Sequence, residues 1–301
     1  MKHRSRIGLA LGSGSARGWS HIGVIRALEQ AGIAPDIVCG TSVGAIVGAA
    51  YAAGELDRFE TWVRQLSWPA VVGFLDLKMG GGLMGGGKLV EFFRSRFDDC
   101  GIENLPKAFG CVATDLSSGR EIWLREGPVV DSVRASIALP GVFTPSLREG
   151  LLLVDGGLVN PVPVSLCRAM GADIVIAVDL NWDLVGRRYR IPDAPQPIPA
   201  LLGNGLFDNF LARFRAVKGT AAESGESSPA VPSMLEVLTT SLNIMQVRIT
   251  QSRLAGEPAD ALIRPRLSGI AATDFHRGAV SIAEGMRAAE HALPMIHEML
   301  A

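Results

Sequence analysis

The chain has 301 residues, with 29 Lys plus Arg against 30 Asp plus Glu, a formal net charge of −1 and 48% hydrophobic residues. That length can bury a full core, and the near-neutral, apolar composition excludes a wholly disordered chain and gives no electrostatic case for nucleic acid. Cys39, Cys100, Cys111 and Cys167 lie far apart with no C-x-x-C, and the five His form no H-E-x-x-H, so free thiols in a reducing compartment are expected, with no metal site.

Lys2, Arg4 and Arg6 precede the apolar run 7–11, which is too short for the core of a secretory signal. That run ends in a Gly/Ser cluster and reads as a buried strand; residues 20–30 carry helical periodicity and stop at Gly32. A second strand, 36–39, leads into Gly40-Thr-Ser-Val-Gly44 and a helix of small residues to Ala53. The uncharged run 37–54 contains four Gly besides Thr41 and Ser42, which disfavours a membrane span. Further strands are expected at 108–115, 121–124, 151–155, 173–179 and 261–267. Helices are expected at 130–138, 233–254 and 278–299, the last broken near Pro294. The alternation of strands and helices predicts an α/β fold with a parallel or mixed sheet. A single domain over 1–301 is expected: a core at 7–182, a Pro- and Gly-rich mobile insert at 183–233 and a helical part at 234–301.

Three glycine-rich motifs stand out. Gly12-Ser-Gly14-Ser-Ala-Arg-Gly18 follows a strand and opens a helix, where several backbone N–H groups can converge on an anion. Its G-x-G-x-x-x-G spacing, and the absence of an acid after the second strand, disfavour a dinucleotide-binding oxidoreductase. Gly82 to Lys88 has Walker A spacing, but Leu89 replaces the magnesium-binding hydroxyl, so it reads as a loop. Gly40-Thr-Ser42-Val-Gly44 matches G-x-S-x-G between a strand and a helix, the setting of a nucleophile elbow.

Ser42 needs a base. His276, in Asp274-Phe-His-Arg277, would serve in a triad but reads better as a capping or surface residue; His21 reads as structural. Asp155 ends an apolar strand before Gly156-Gly157, where burial would raise its pKa toward that of a useful base.

The order of Gly-rich loop, G-x-S-x-G and D-G-G resembles the patatin-like phospholipase family. Supporting matches are His21-Ile-Gly23-Val24, Ala113-Thr-Asp115, Ala135-Ser136, Pro140-Gly141 and Asn160-Pro-Val-Pro163, so the resemblance spans about residues 7–182. The C-terminal part is similar to the bacterial branch related to neuropathy target esterase. The resemblance implies a three-layer α/β/α patatin-like fold with a mostly parallel central sheet. It implies an acyl lipid or ester hydrolase with a Ser42–Asp155 dyad, an oxyanion loop of Gly12, Gly14, Ser15, Ala16, Arg17 and Gly18, and Gly40, Gly44, Gly156 and Gly157 in support. No metal or cofactor is implied. Ser13 and Ser15 stand where the family loop carries Gly, so a loop position needing φ > 0 would be strained.

The stretch 201–218 has apolar residues at helical spacing beside Arg213, Arg215 and Lys218. It reads either as a helix packed over the site or on a partner, or as a helix lying on an anionic lipid surface. A cytoplasmic protein, peripheral at the inner membrane surface in the second case, is expected. The alternative to a hydrolase is a non-catalytic regulator that keeps the fold to bind lipid or protein.

Overall fold

A computed structural model describes residues 4–67, 69, 94, 100–185 and 234–301. Its short apolar runs pair into one eight-stranded mixed sheet. The fully buried strand β1 (Ile7–Leu11) lies between β2 (Ile37–Thr41) and β7 (Ile174–Val178), parallel to both. β3 (Ala108–Asp115) runs parallel to β2, and β8 (Ala261–Ile263) parallel to β7. The far side is antiparallel: β4 (Glu121–Leu124) and β6 (Leu151–Asp155) pair with β3, and β5 (Ser146–Arg148) pairs with β6.

Strand β3 is shared in an unusual way. Its residues 113 and 114 pair with both β4 and β6, so these two strands lie on opposite edges of it. Residues 111 and 112 pair with both β2 and β4, which puts β2 on the same edge as β6. β2 and β6 therefore meet end to end along one edge, with Thr41 opposite Val112 and Asp155 opposite Ala113. Because β2 runs parallel to β3 and β6 antiparallel, the ends that meet are both carboxyl ends.

Side chains alternate between two cores, as a pleated sheet with helices on both faces requires. Leu9, Leu11, Phe109, Ile176 and Val178 pack with the helices α1 (Ser20–Gln30), α2 (Val43–Ala52), α3 (Leu56–Gln65), α4 (Val129–Ser136) and α7 (Gly278–Leu300). Ala10, Ile37, Cys39, Val112 and Val175 face α5 (Val164–Ala169) and Leu254 of α6 (Met234–Gly256). This is a three-layer α/β/α architecture. Each large side chain buried from full exposure contributes about 1.5–3 kcal/mol of transfer free energy. Helices α1 and α7 cross at glycines: a Cβ on Gly23 would come within 1.9 Å of Ile282 O, and one on Gly285 within 1.9 Å of Ser20 O.

The structure departs from the sequence expectations at several elements. α7 runs unbroken through Pro294, because both Pro294 and Glu290, whose carbonyl loses its helical donor, are exposed to water. The strand expected over 261–267 ends at Ile263. α3, α5 and β5 have no clear counterpart in the sequence reading. The expected insert helix at 201–218 and the loop at 82–89 lie outside the described residues, as do positions 186–233 of the expected mobile insert. Two compact units are distinguished: residues 1–185 with 241–301, and residues 186–240, where 234–240 form the first turns of α6. Among the described residues no helix is long and apolar enough to cross a membrane.

Candidate active site

Ser42 sits between β2 and α2 with φ 57° and ψ −125°, a conformation that a side-chain-bearing residue adopts only under constraint. Close packing enforces the turn: a Cβ on Gly44 would lie 2.2 Å from Leu11 O, and one on Gly40 2.4 Å from Gly44 O. Ser136 Oγ accepts the Ser42 N–H at 2.9 Å and donates to Val112 O at 2.7 Å. Thr41 Oγ1 donates to Asn160 O at 2.9 Å, tying the end of β2 to the turn after β6.

The Ser42 hydroxyl donates to Asp155 Oδ2 at 2.6 Å, across 113 positions of sequence. The second carboxylate oxygen, Oδ1, accepts the Gly157 N–H at 2.7 Å. Asp155 is 1% exposed. Burial raises its pKa from the ordinary 3.8 to about 6, while the bonds from Ser42 and Gly157 pull it back down. The carboxyl is thus mostly ionised at neutral pH yet more basic than a solvated aspartate. A Cβ on Gly156 would come within 2.2 Å of Val112 O, so the D-G-G turn lies flat on β3.

The loop 12–18 brings its N–H groups to this end of the sheet, and most of them have acceptors. Gly12 N–H donates to Val178 O (3.1 Å), Ser13 N–H to Pro161 O (2.8 Å), Ala16 N–H to Ala272 O (3.2 Å) and Arg17 N–H to Gly14 O (3.2 Å). The N–H groups of Gly14 and Ser15 donate to no acceptor among the described residues. Gly12 and Ala16, named from sequence as members of an oxyanion loop, thus shape the loop while their donors are engaged elsewhere. Gly18 lies under α2, where a Cβ would strike Val43.

Of the two serines that depart from the family's glycine pattern, Ser15 takes positive φ (53°) and Ser13 does not. Ser15 Oγ donates to Ala272 O at 2.6 Å. Arg17 is buried, with Nη2 on Asn243 Oδ1 at 3.4 Å, and desolvation lowers its pKa to about 10 against the pull of Asp183.

Sequence reasoning gives several contributors no role in the site. Ser136 has no motif of its own beyond the Ala135-Ser136 match. His21, read from sequence only as structural, is wholly buried with Nε2 2.7 Å from Gly12 O, and burial lowers its pKa to about 4. The neutral ring therefore donates to Gly12 O and pins the loop from α1. His276, the triad alternative, is exposed on the 3-10 turn Phe275–Arg277. Among the described residues no group of three His, Cys, Asp or Glu is arranged to hold a metal ion.

A patatin-like phospholipase family model matches residues 9–168, the segment that holds the loop, Ser42 and Asp155. An NTE family protein of Mycobacterium bovis is 34% identical over 331 aligned positions, covering 96% of this chain and 91% of its own. Lysophospholipase nte1 of Aspergillus fumigatus is 34% identical over 190 positions, covering 58% of this chain and 12% of its own. Patatin-like phospholipase domain-containing protein 6 of Mus musculus is 36% identical over 183 positions, covering 58% and 13%. With more than half of its length matched by one family model, and a relative that aligns with it almost end to end, this chain belongs to the patatin-like phospholipase family.

Proposed function

We propose that the protein is a serine hydrolase of acyl lipids, of phospholipase or lysophospholipase type, working through a Ser42–Asp155 dyad. The observation that carries this reading is the 2.6 Å bond from a serine at a strained elbow to a buried carboxylate of raised pKa. Asp155 Oδ2 takes the Ser42 proton as Oγ attacks the ester carbonyl, and Gly157 N–H keeps the carboxylate facing the nucleophile. The tetrahedral oxyanion is received by the N–H groups of Gly14 and Ser15, assisted by the N-terminal end of α2. Asp155 then returns the proton to the leaving alkoxide. In the second half it deprotonates a water that attacks the acyl-Ser42 ester, then returns that proton to Ser42 Oγ as the C–O bond breaks and the fatty acid leaves. The chemistry uses only the chain's own groups and water.

The names of the relatives, lysophospholipase among them, support an amphiphilic ester as substrate. Peripheral contact of 201–218 with a lipid surface, in a cytoplasmic setting, belongs to the same proposal.

Hydrolysis of short- and long-chain acyl p-nitrophenyl esters by wild type, Ser42→Ala and Asp155→Ala tests it. Turnover by the wild type, lost in both folded variants, is expected. Folded wild type no faster than Ser42→Ala, with lipid vesicles supplied, would replace the hydrolase by a non-catalytic lipid- or protein-binding regulator.

A further inference from the structure

We propose that Gln246, with Asn181, is a positioning residue that aims the Gly14 N–H into the reaction centre; this rests on the hydrolase reading above. Gln246 lies on α6 within the larger unit, is buried, and comes from a part of the chain outside the segment matched by the family model. Its Oε1 accepts from Ser13 Oγ at 3.2 Å and from Asn181 Nδ2 at 3.0 Å. Asn181 Nδ2 also reaches the Ser13 carbonyl oxygen at 3.3 Å, and the Asn181 N–H is fixed on Asp179 Oδ1 at 3.0 Å.

The consequence follows from peptide planarity. Ser13 C=O and Gly14 N–H belong to one rigid trans peptide unit and point in opposite directions. Asn181 Nδ2 holds the carbonyl, and Gln246 Oε1 fixes that amide and the Ser13 hydroxyl; the Gly14 N–H is therefore turned the other way, where it has no acceptor among the described residues. The next peptide is held similarly, since Gly14 O accepts the Arg17 N–H, which orients the Ser15 N–H.

The same glutamine touches the base side of the site. A Cβ on Gly157 would lie 2.6 Å from Gln246 Nε2, 2.9 Å from Asp155 Oδ1 and 3.3 Å from Ser13 Cβ. One amide thus packs against both the loop that carries the oxyanion donors and the turn that orients Asp155. Ser13, which departs from the family's glycine, supplies the hydroxyl that makes this bond. An oxyanion donor must be preset, because the contact strengthens only as charge develops.

The test compares wild type with Gln246→Met, which keeps the volume but cannot accept these bonds, and with Gln246→Met/Ser13→Ala. Gln246→Met is expected to lower kcat about 10- to 100-fold, with KM within about twofold, the pattern of a contact made in the transition state. The double variant should lose little more than the single one, because both changes break the same bond. Amide hydrogen exchange, which does not depend on turnover, should quicken over residues 12–18 and stay as in wild type along β7 and α7.

Wild-type kcat in Gln246→Met, or a loss that only follows the folded fraction, would overturn the proposal. So would unchanged exchange over 12–18. If the wild type shows no Ser42-dependent turnover, the hydrolase reading fails separately. Exchange then decides the clamp: selective quickening over 12–18 upholds it, and none overturns it.

Discussion

Ser136 holds the backbone of Ser42 in its positive-φ conformation. The Ser136 hydroxyl, fully buried, accepts the Ser42 N–H and donates to Val112 O on β3, the strand whose Ala113 pairs with Asp155 of β6. Ser136→Ala leaves the Ser42 N–H without this acceptor and Val112 O without this donor. A stability loss of about 1–3 kcal/mol is expected from the orphaned groups. The strained Ser42 turn should relax, and kcat should fall by about tenfold or more as Oγ moves out of line. Urea unfolding together with steady-state ester hydrolysis checks both. A variant that loses stability but keeps full kcat would show that Ser136 serves the fold alone.

The buried Asp155 ties pH to both rate and stability. In the proposed dyad Asp155 accepts the proton and must be ionised, so kcat/KM should rise with pH through a midpoint of about 6 and level off above pH 7. Stability runs in the opposite sense. The folded pKa lies above the ordinary 3.8, so the native state binds this proton more tightly than the unfolded chain does. The group therefore costs stability above about pH 6, and the cost fades as pH falls toward 4. Asp155→Asn removes the charge while keeping the shape. It should be inactive, yet more stable than wild type at pH 8 by about 1–3 kcal/mol, with the difference shrinking by pH 4. Equal stability of the two proteins at pH 8 would count against a desolvated carboxylate.

Much of this arrangement is legible in the sequence, and the remainder fails to be legible for identifiable reasons. β1, α1, β3, β4 and β6 fall where their apolar patterns put them, because each is bounded by Gly, Pro or polar residues that end the pattern. The motifs single out Ser42 and Asp155, but no local pattern encodes how β3 lends one edge to both β2 and β6. That register is a long-range result of packing, and it is what closes the gap between the two side chains. Ser136, Asn181 and Gln246 are lone polar residues whose neighbours in space are remote in sequence, so periodicity and spacing are silent about them. The short elements α5 and β5, of six and three residues, are too brief for a period to show. The continuous α7 shows the converse: Pro294 breaks a helix only where the freed carbonyl finds no water.

His21 offers a test of the loop that needs no substrate. Its ring is completely buried, and burial depresses its pKa to about 4, so it should stay neutral through the range in which a solvated histidine charges. NMR titration should find no His21 transition between pH 8 and 5. Because the folded pKa lies below the ordinary 6.5, the neutral form favours the native state. The contribution is intact above about pH 6.5 and is lost as pH falls toward 4. His21→Phe fills the space but leaves Gly12 O without its donor. It should cost about 1–3 kcal/mol at pH 7 and lower kcat more than KM. An ordinary His21 titration near 6.5 would show the ring in water and remove it from the loop's support.

Ser15 bears on why this loop tolerates serine where the family carries glycine. Its φ of 53° disfavours any side chain by about 1–2 kcal/mol, but its hydroxyl donates to Ala272 O at 2.6 Å, a bond that glycine cannot make. The two effects can be separated by substitution. Ser15→Ala keeps the strain and loses the bond, so it should be less stable than wild type by about 1 kcal/mol. Ser15→Gly loses the same bond but relieves the strain, so its stability should return to within about 0.5 kcal/mol of wild type. Both keep the backbone N–H. Ser15→Gly should therefore lose activity mainly through loosening of the tether between the loop and residues 271–274, which amide exchange over 12–18 would register. Thermal or urea unfolding gives the order directly. If Ser15→Ala proved more stable than Ser15→Gly, the left-handed strain would not hold; if Ser15→Ala were as stable as wild type, the bond to Ala272 would not compensate it.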